Sequence, residues 1–174
     1  MSRRDKDNYY LDIAQTVAER GTCLRRNFGA IIVKDDNIVS TGYTGAPRGR
    51  KNCCDINFCV RDDLNIPHGE RFELCRSVHA EANAIIAAAR DEMLQGVMYI
   101  VCMDAKTGDI VSGVTSCAMC KKLIINAGIS RVVMRIQRTS TASSPYATGS
   151  LKTSRLPQRQ RDKHKVGGRC APAH

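Results

Sequence analysis

A His-x-Glu motif and a Cys-x-x-Cys motif, whose first residues stand 38 positions apart, most constrain how this chain can fold. The first reads Ser-Val-His79-Ala-Glu81-Ala-Asn-Ala and the second Cys117-Ala-Met-Cys120. Each lies where a helix is predicted to begin: an Ala-rich helix over 78–90, and a second helix starting at Cys117. Cys117 and Cys120 share one helix face because they are three residues apart. A fold that joins the two helix starts would place an imidazole, a carboxylate and two thiols around one point.

These side chains have the composition of a catalytic zinc site. His79, Cys117 and Cys120 would supply three zinc ligands and leave the fourth tetrahedral position open for water. Zinc lowers the pKa of water to about 7, so that hydroxide can attack an amidine-like ring carbon such as C4 of cytosine. Glu81 is the predicted catalytic residue, which takes the proton of the water, passes it to the ring nitrogen and helps ammonia leave. Taken alone, the Cys-x-x-Cys could also be redox-active or structural.

At these motifs the chain resembles the cytidine and deoxycytidylate deaminase superfamily, and the deoxycytidylate (dCMP) deaminase branch fits best. The resemblance extends over about residues 9–135. It includes Cys23-Leu-Arg-Arg-Asn-Phe-Gly-Ala-Ile-Ile-Val, Ser40-Thr-Gly-Tyr-Thr-Gly-Ala-Pro-Arg-Gly and a Cys-rich insertion before His79. It implies a hydrolase that converts dCMP and water to dUMP and ammonia and so supplies thymidylate synthesis. Another superfamily deaminase, acting on cytidine or on a tRNA adenosine, is the enzymatic alternative, although tRNA adenosine deaminases lack the Gly-Tyr-x-Gly-x-Pro-x-Gly loop and the insertion.

Two positions depart from the superfamily pattern. Ser116 replaces the Pro that usually precedes the first zinc-binding Cys. Because Ser is a good helix cap, we expect the ligand geometry to be retained. Thr44 replaces the Asn of the common Gly-Tyr-Asn-Gly loop, which alters one expected contact to a nucleotide.

The resemblance also implies a nucleotide site around the zinc. Six residues are expected to bind substrate: Arg26, Asn27, Arg48, Arg76, Ala80 and Ser116. The three arginines are candidates for the phosphate because a guanidinium binds phosphate oxygens bidentately, although each could also be a solvated surface residue. Asn27 matches the family position that contacts the sugar. The backbone near the last two residues would read the pyrimidine edge.

A regulatory nucleotide site is implied at the loop 42–49. Its glycines expose backbone N–H groups, which suit phosphate binding. In the family this region belongs to a site for dCTP and dTTP with Mg²⁺. Tyr43, Thr44 and Gly45 are therefore candidate regulatory residues. The family is also commonly hexameric, which implies a homo-oligomer.

Five cysteines outside the two motifs accompany the polar insertion 50–77: Cys23, Cys53, Cys54, Cys59 and Cys75. A loop of this length with little apolar content is hard to order alone, and a second, structural zinc would order it. The predicted ligands are Cys23, Cys53, Cys59 and Cys75, with Cys54 or His68 as substitutes. Some related dCMP deaminases carry a second zinc at positions matching two of these cysteines. Buried free thiols are the alternative.

The net charge of +10 is concentrated at one end of the chain. Residues 136–174 hold 8 Lys and Arg against 1 Asp, which leaves 19 against 16 in residues 1–135. Nucleic-acid binding is therefore expected only through the basic tail. A protein that binds nucleic acid in this way is the non-enzymatic alternative to a deaminase. The nine cysteines, with no signal-peptide pattern and no long apolar run, favour a reducing, cytoplasmic compartment and exclude a membrane protein.

The tail at 136–174 has few apolar residues and no periodicity, so we expect it to be disordered. Codons can be chosen for residues 136–150 that, after one inserted base, encode Asp-Thr-Glu-Asp-Glu-Tyr-Arg-Val-Ile-Pro-Val-Arg-Asp-Trp-Val. That segment has an acidic turn, a short apolar strand and a Trp, and it resembles the continuation of this family. We therefore hypothesise that the tail is a frameshift product, which could leave the protein inactive. A natural basic extension is the alternative.

The order of predicted elements indicates one α/β domain over residues 1–135. A helix over 7–20 is followed by a hairpin over 28–42, the insertion, the His-bearing helix, a strand, the Cys-bearing helix and a final strand. Alternating helices and strands imply a mixed sheet between helical layers. The expected architecture is thus the three-layer α/β/α fold of cytidine deaminases, with an irregular C-terminal tail.

Overall fold

The computed structural model describes residues 3–137 and, for the backbone only, a strand at 146–152. The helices are α1 Lys6–Ala18, α2 Cys53–Ile56, α3 Val60–Asp63, α4 Ala80–Ile86, α5 Arg90–Met93 and α6 Ala118–Ala127. The strands are β1 Arg26–Lys34, β2 Asn37–Tyr43, β3 Val97–Asp104, β4 Arg131–Gln137 and β5 Tyr146–Lys152. Within the described residues the five strands form one sheet in the order β2-β1-β3-β4-β5. β3 and β4 are parallel and the other neighbours are antiparallel, so the predicted mixed sheet is confirmed.

The central strands β1 and β3 are buried on both faces, which gives the three predicted layers. Because side chains alternate along a strand, Ile31 and Tyr99 face one side while Ile32 and Met98 face the other. α1 covers the first side and α4 the second. α6 packs on the second side as well, since Ile124 and Ala127 belong to the same apolar cluster as Ile32 and Met98. Few polar residues interrupt the middle of β1 and β3 because neither face of these two strands meets water.

The β1–β2 hairpin is where the sequence placed it. Asp35 and Asp36 both have positive φ, at 48° and 65°, which matches the right-handed twist of the flanking strands. The hydroxyl of Tyr10 donates to the carboxylate of Asp36 at 2.7 Å and so ties the turn to α1.

Two helices press their backbones against glycines of the sheet. A Cβ added to Gly29 on β1 would lie 2.1 Å from the carbonyl oxygen of Ala14 in α1. A Cβ added to Gly42 on β2 would lie 2.3 Å from the carbonyl oxygen of Ala80 in α4. Only glycine allows this approach, so these two positions set the distance of each helix from the sheet.

The His-bearing helix is shorter than predicted. The expected helix over 78–90 is divided into α4 and α5, because Ala89 adopts an extended conformation and begins a new turn. The carboxylate of Glu92 accepts the N–H of Ala89 at 2.9 Å and stabilises this restart. The insertion 50–77 is also less irregular than expected, since it contains α2, α3 and a 3₁₀ turn at Phe72–Leu74.

The predicted disorder and frameshift origin of the tail concern residues that lie mostly outside the described ones. At 146–152 the backbone forms β5 on the edge of β4, a strand that the sequence did not indicate. None of the helices in the described part of the chain is long and apolar enough to cross a membrane.

Candidate active site

The three predicted metal ligands converge at the N-termini of α4 and α6. His79 is the N-cap residue of α4, and Cys117 is the N-cap residue of α6, with Cys120 one turn further on. The Sγ atoms of Cys117 and Cys120 each lie 3.4 Å from Nδ1 of His79. The backbone N–H of Cys120 donates to Sγ of Cys117 at 3.4 Å. Both helices therefore point the positive ends of their dipoles at the sulfur atoms.

The spacing of these donors fits zinc. Zinc–sulfur and zinc–nitrogen bonds at a tetrahedral angle put the two donor atoms about 3.6 Å apart. The observed separation of 3.4 Å is close to that value, and all three donor atoms lie within 4.8 Å of one another. Ser116, where the superfamily usually has Pro, is therefore compatible with a close approach of the three donor atoms.

Glu81 lies beside the three ligands and is almost fully buried, with 3% of its surface exposed. Burial, together with the carboxylate of Glu81 and the sulfur of Cys117, raises the pKa of the Cys120 thiol. A buried carboxylate and two cysteines in one place need a compensating positive charge. Zinc would provide that charge, and Glu81 would remain free to exchange protons because it is not among the clustered metal ligands.

A cavity of about 320 Å³ opens beside this centre. His79, Glu81 and Cys117 form one side, and residues of the insertion form the other. The loop after β2 is held there by a β-bridge in which Val78 donates to the carbonyl of Gly45 at 2.8 Å. The cavity therefore lies between the metal ligands, the insertion and the loop that follows β2.

The four cysteines predicted to bind a second zinc all line this cavity: Cys23, Cys53, Cys59 and Cys75. Within the described side chains they do not approach as closely as the three ligands at α4 and α6. Burial raises the pKa of the Cys53 and Cys75 thiols. Cys54 is exposed and borders a neighbouring cavity.

The predicted substrate residues do not all line the cavity. Arg26 and Arg76 line the cavity, whereas Arg48 is exposed and is not among its lining residues. Asn27 borders the neighbouring cavity, where its Oδ1 accepts the N–H of Cys23 at 3.0 Å.

The residues beside the metal ligands are both buried. Ala80 begins α4, directly after His79. Ser116 precedes Cys117, and its Oγ has no hydrogen-bond partner within the described part of the chain.

The three candidate regulatory residues lie in different environments. Tyr43 ends β2 with an exposed ring, and Gly45 pairs with Val78. Thr44 is buried and lines the main cavity, where its Oγ1 accepts the N–H of Phe28 at 3.1 Å. The Thr that replaces the usual Asn therefore faces the same space as the metal ligands.

Arg25, Arg61 and Phe72 are among the cavity residues that were not singled out from the sequence. The guanidinium of Arg61 lies 4.6 Å from the centroid of the Phe72 ring, and that ring meets His79 edge-to-face at 4.8 Å. Arg25 forms an ion pair with Asp62 at 3.2 Å. The insertion has no regular hydrophobic pattern, so nothing in the sequence distinguishes these residues from solvated ones.

His68, the predicted substitute ligand, is instead bound to an arginine. Its Nδ1 lies 3.1 Å from Nη2 of Arg25. The positive charge of Arg25, aided by burial, lowers the pKa of His68, so that the ring is neutral near pH 7.

Comparison with known proteins identifies similar chains. The deoxycytidylate deaminase of Mycobacterium phage D29 is 34% identical over 135 residues, which cover 76% of this chain and 96% of the phage protein. That of Schizosaccharomyces pombe is 31% identical over 127 residues, which cover 73% of this chain and 36% of the yeast protein. The crystal structure of apo dCMP deaminase from cyanophage S-TIM5 has a TM-score of 0.54 and 23% identity, and covers 78% of this chain and 86% of that one. It therefore supports the fold.

A protein-family model also matches most of the chain. The family described as the cytidine and deoxycytidylate deaminase zinc-binding region matches residues 4–136. This range contains the His-x-Glu and Cys-x-x-Cys motifs and all of the cavity residues. By its sequence, its fold and the geometry of its ligands, the chain belongs to the cytidine and deoxycytidylate deaminase family.

Proposed function

We propose that this protein hydrolyses dCMP to dUMP and ammonia and so feeds thymidylate synthesis. The observation that carries the proposal is the burial of Glu81 beside the His79, Cys117 and Cys120 cluster, in a cavity that also contains arginine side chains. A carboxylate next to a zinc site provides proton transfer, and the arginines suit an anionic substrate. The names of the phage D29 and fission yeast relatives support dCMP as that substrate.

Each side chain has one task in this reaction. His79, Cys117 and Cys120 would hold zinc, which when bound makes a water molecule acidic and nucleophilic at neutral pH. The carboxylate of Glu81 accepts a proton from the water that adds to C4 of the pyrimidine. It delivers this proton to N3, then takes the proton of the new C4 hydroxyl and delivers it to the exocyclic amine. The C4–N4 bond breaks, and ammonia leaves as C4 becomes a carbonyl. Burial of Glu81 keeps bulk water from competing for these protons.

The substitution Glu81→Gln tests this assignment. It keeps the size of the side chain but removes the proton acceptor, so we expect zinc content to be retained while kcat falls by about 10³-fold. Glu19→Gln, at the exposed end of α1, is the matched control and should behave as the wild type. Ammonia release from dCMP, cytidine and a tRNA adenosine substrate, measured on the same samples, separates the superfamily activities. Normal turnover by the Glu81 variant would contradict the role.

A second zinc ion is also proposed, bound by Cys23, Cys53, Cys59 and Cys75. Its support is that all four border one cavity and belong to or flank an insertion with little apolar content. Burial disfavours free thiolates at Cys53 and Cys75, and a metal ion would reverse that effect. The exposure of Cys54 and the contact of His68 with Arg25 favour these four over the two substitutes.

Regulation by dCTP and dTTP with Mg²⁺ is proposed at the loop containing Tyr43, Thr44 and Gly45. The bridge from Gly45 to Val78 supports this proposal because it joins the loop to the residue before His79. A nucleotide that moves the loop would thereby move a metal ligand. Activity measured against each nucleotide, with and without Mg²⁺, tests the idea.

We propose that the protein is a cytoplasmic homo-oligomer, hexameric like much of its family. Ile86 on α4 and Met119 on α6 are exposed by 78% and 63%, which leaves apolar surface on the two helices that carry the site. The eight cysteines of the described part are unpaired, which is consistent with a reducing compartment. Sedimentation of the purified protein measures the number of subunits.

A further inference from the structure

Arg61 is a buried arginine with unused hydrogen-bonding capacity. Its exposed fraction is 7%, and its Nε has no hydrogen-bond partner among the described residues. Nη2 donates to the carbonyl of Pro67 at 3.1 Å. No carboxylate forms an ion pair with it in the described part of the chain. Because burying an unpaired guanidinium is costly, its presence beside a cavity indicates that an anion completes it.

Arg61 is held in a fixed position. Its guanidinium lies over the Phe72 ring at 4.6 Å, and the Pro67 carbonyl fixes one of its nitrogen atoms. A cation–π contact of this kind orients the planar group without consuming its N–H donors. The side chain is therefore prepared to bind a ligand before the ligand arrives.

The arginine side chains that line the cavity outnumber its carboxylates, which suits an anionic group on the ligand. Four arginines line the cavity, and Glu81 is the carboxylate that lines it within the described residues. Arg25 is paired with Asp62, and the exposed Arg76 donates to the carbonyl of Lys51 at 2.6 Å. Arg26 lies opposite Asp104 across β1 and β3. Arg61 thus combines burial with the absence of an ion-pair partner among the described residues, which makes it the strongest anion donor of the four.

Arg61 is also connected to the metal centre. The Phe72 ring that supports its guanidinium contacts His79 edge-to-face at 4.8 Å. One aromatic ring thus separates the anion donor from a metal ligand, on one wall of the cavity. A ligand whose anionic group binds Arg61 would extend along this wall toward Glu81.

We propose that Arg61 binds the 5′-phosphate and selects a nucleoside monophosphate over the nucleoside. The assignment rests on the proposed function, since it concerns how the same site recognises its substrate. Arg61 lies in the Cys-rich insertion and is not one of the three arginines, at 26, 48 and 76, that the sequence favoured. The insertion therefore contributes substrate specificity as well as the proposed metal binding.

The test compares substrates with and without the phosphate. In Arg61→Met, which keeps much of the length of the side chain but not its charge, kcat/KM for dCMP should fall about 100-fold while that for deoxycytidine changes by about threefold or less. Arg61→Lys should recover part of the loss, because the charge returns without the planar donors. Arg71→Met is the matched control, since Arg71 lies in the same insertion but is exposed and pairs with Glu73. An equal loss with both substrates, or no loss, would overturn the proposal.

Binding of the product separates this inference from the proposed activity. Calorimetry with dUMP and deoxyuridine measures the phosphate preference without turnover. A wild type that prefers dUMP, and loses that preference in Arg61→Met with zinc content unchanged, supports the assignment even if dCMP is not turned over. A wild type that binds both equally refutes it.

Discussion

The contact between Gly42 and α4 makes the active site sensitive to one methyl group. In Gly42→Ala the new Cβ would lie 2.3 Å from both the carbonyl oxygen of Ala80 and the backbone nitrogen of Ala84. Ordinary contacts begin near 3.4 Å. Both neighbours are backbone atoms of a helix, so no side-chain rotation relieves the clash. α4 must therefore move away from the sheet by about 1 Å.

This movement displaces His79 and Glu81, because both lie at the start of α4. A shift of about 1 Å at reacting groups lowers turnover by roughly 100-fold. Overpacking of this kind also costs about 1–3 kcal/mol of unfolding free energy. We therefore expect a folded, less stable protein with weaker zinc binding and about 1% of the wild-type kcat/KM for dCMP.

Gly29→Ala is the matched control. Its Cβ would lie 2.1 Å from the carbonyl oxygen of Ala14 and 2.4 Å from the nitrogen of Ala18, so it pushes α1, which carries no predicted ligand. Chemical denaturation, zinc content and kcat/KM are measured on both variants at a temperature where each is folded. The control should lose stability but keep most activity. Wild-type activity in Gly42→Ala, or an equal loss in both variants, would refute the reasoning.

Three further perturbations test other parts of the structure. Cys117→Ala should remove the zinc ion bound at the start of α4 and α6. Any zinc that elemental analysis still finds in this variant would be bound by the cysteine cluster of the insertion. An unchanged number of zinc ions per chain would argue against Cys117 as a ligand. Arg25→Met should raise the pKa of His68, because the guanidinium is the main cause of its low value, so the ring would protonate at higher pH in an NMR titration; an unmoved pKa would contradict the contact. Asp7→Asn removes the ion pair with Arg131 and weakens the acceptor of the Tyr99 hydroxyl. It should lower the free energy of unfolding, measured by urea denaturation, by about 1–2 kcal/mol. No change would mean that water replaces both contacts.

The site could be predicted from the sequence where short-range spacing determines it. Cys117 and Cys120 share a helix face by geometry, and the alternation of helices and strands along the chain required helical layers on the sheet. The meeting of His79 with the two cysteines depends on the parallel pairing of β3 and β4, and the order of elements was enough to suggest it.

The rest depends on long-range packing that local patterns do not encode. Helix propensity cannot show that α4 ends at Ile86, because Ala favours helix on both sides of that point. The break arises where Glu92 accepts the N–H of Ala89. Arg61 belongs to a polar run, Val-Arg-Asp-Asp, that has the composition of a solvated turn. Its burial results from the contact with Phe72, eleven residues later.

His79 and Cys117 are both N-cap residues, just outside the helical turns that follow them. The core can therefore form before a metal ion binds to these two side chains. Among the described side chains, the two apolar clusters form without either residue. Cys117 satisfies the N–H of Cys120, whereas the side chain of His79 caps no helical N–H. A newly made chain can therefore complete its sheet in zinc-poor conditions and acquire the ion afterwards. The supply of zinc at this centre would then determine what fraction of the molecules with a complete sheet is active.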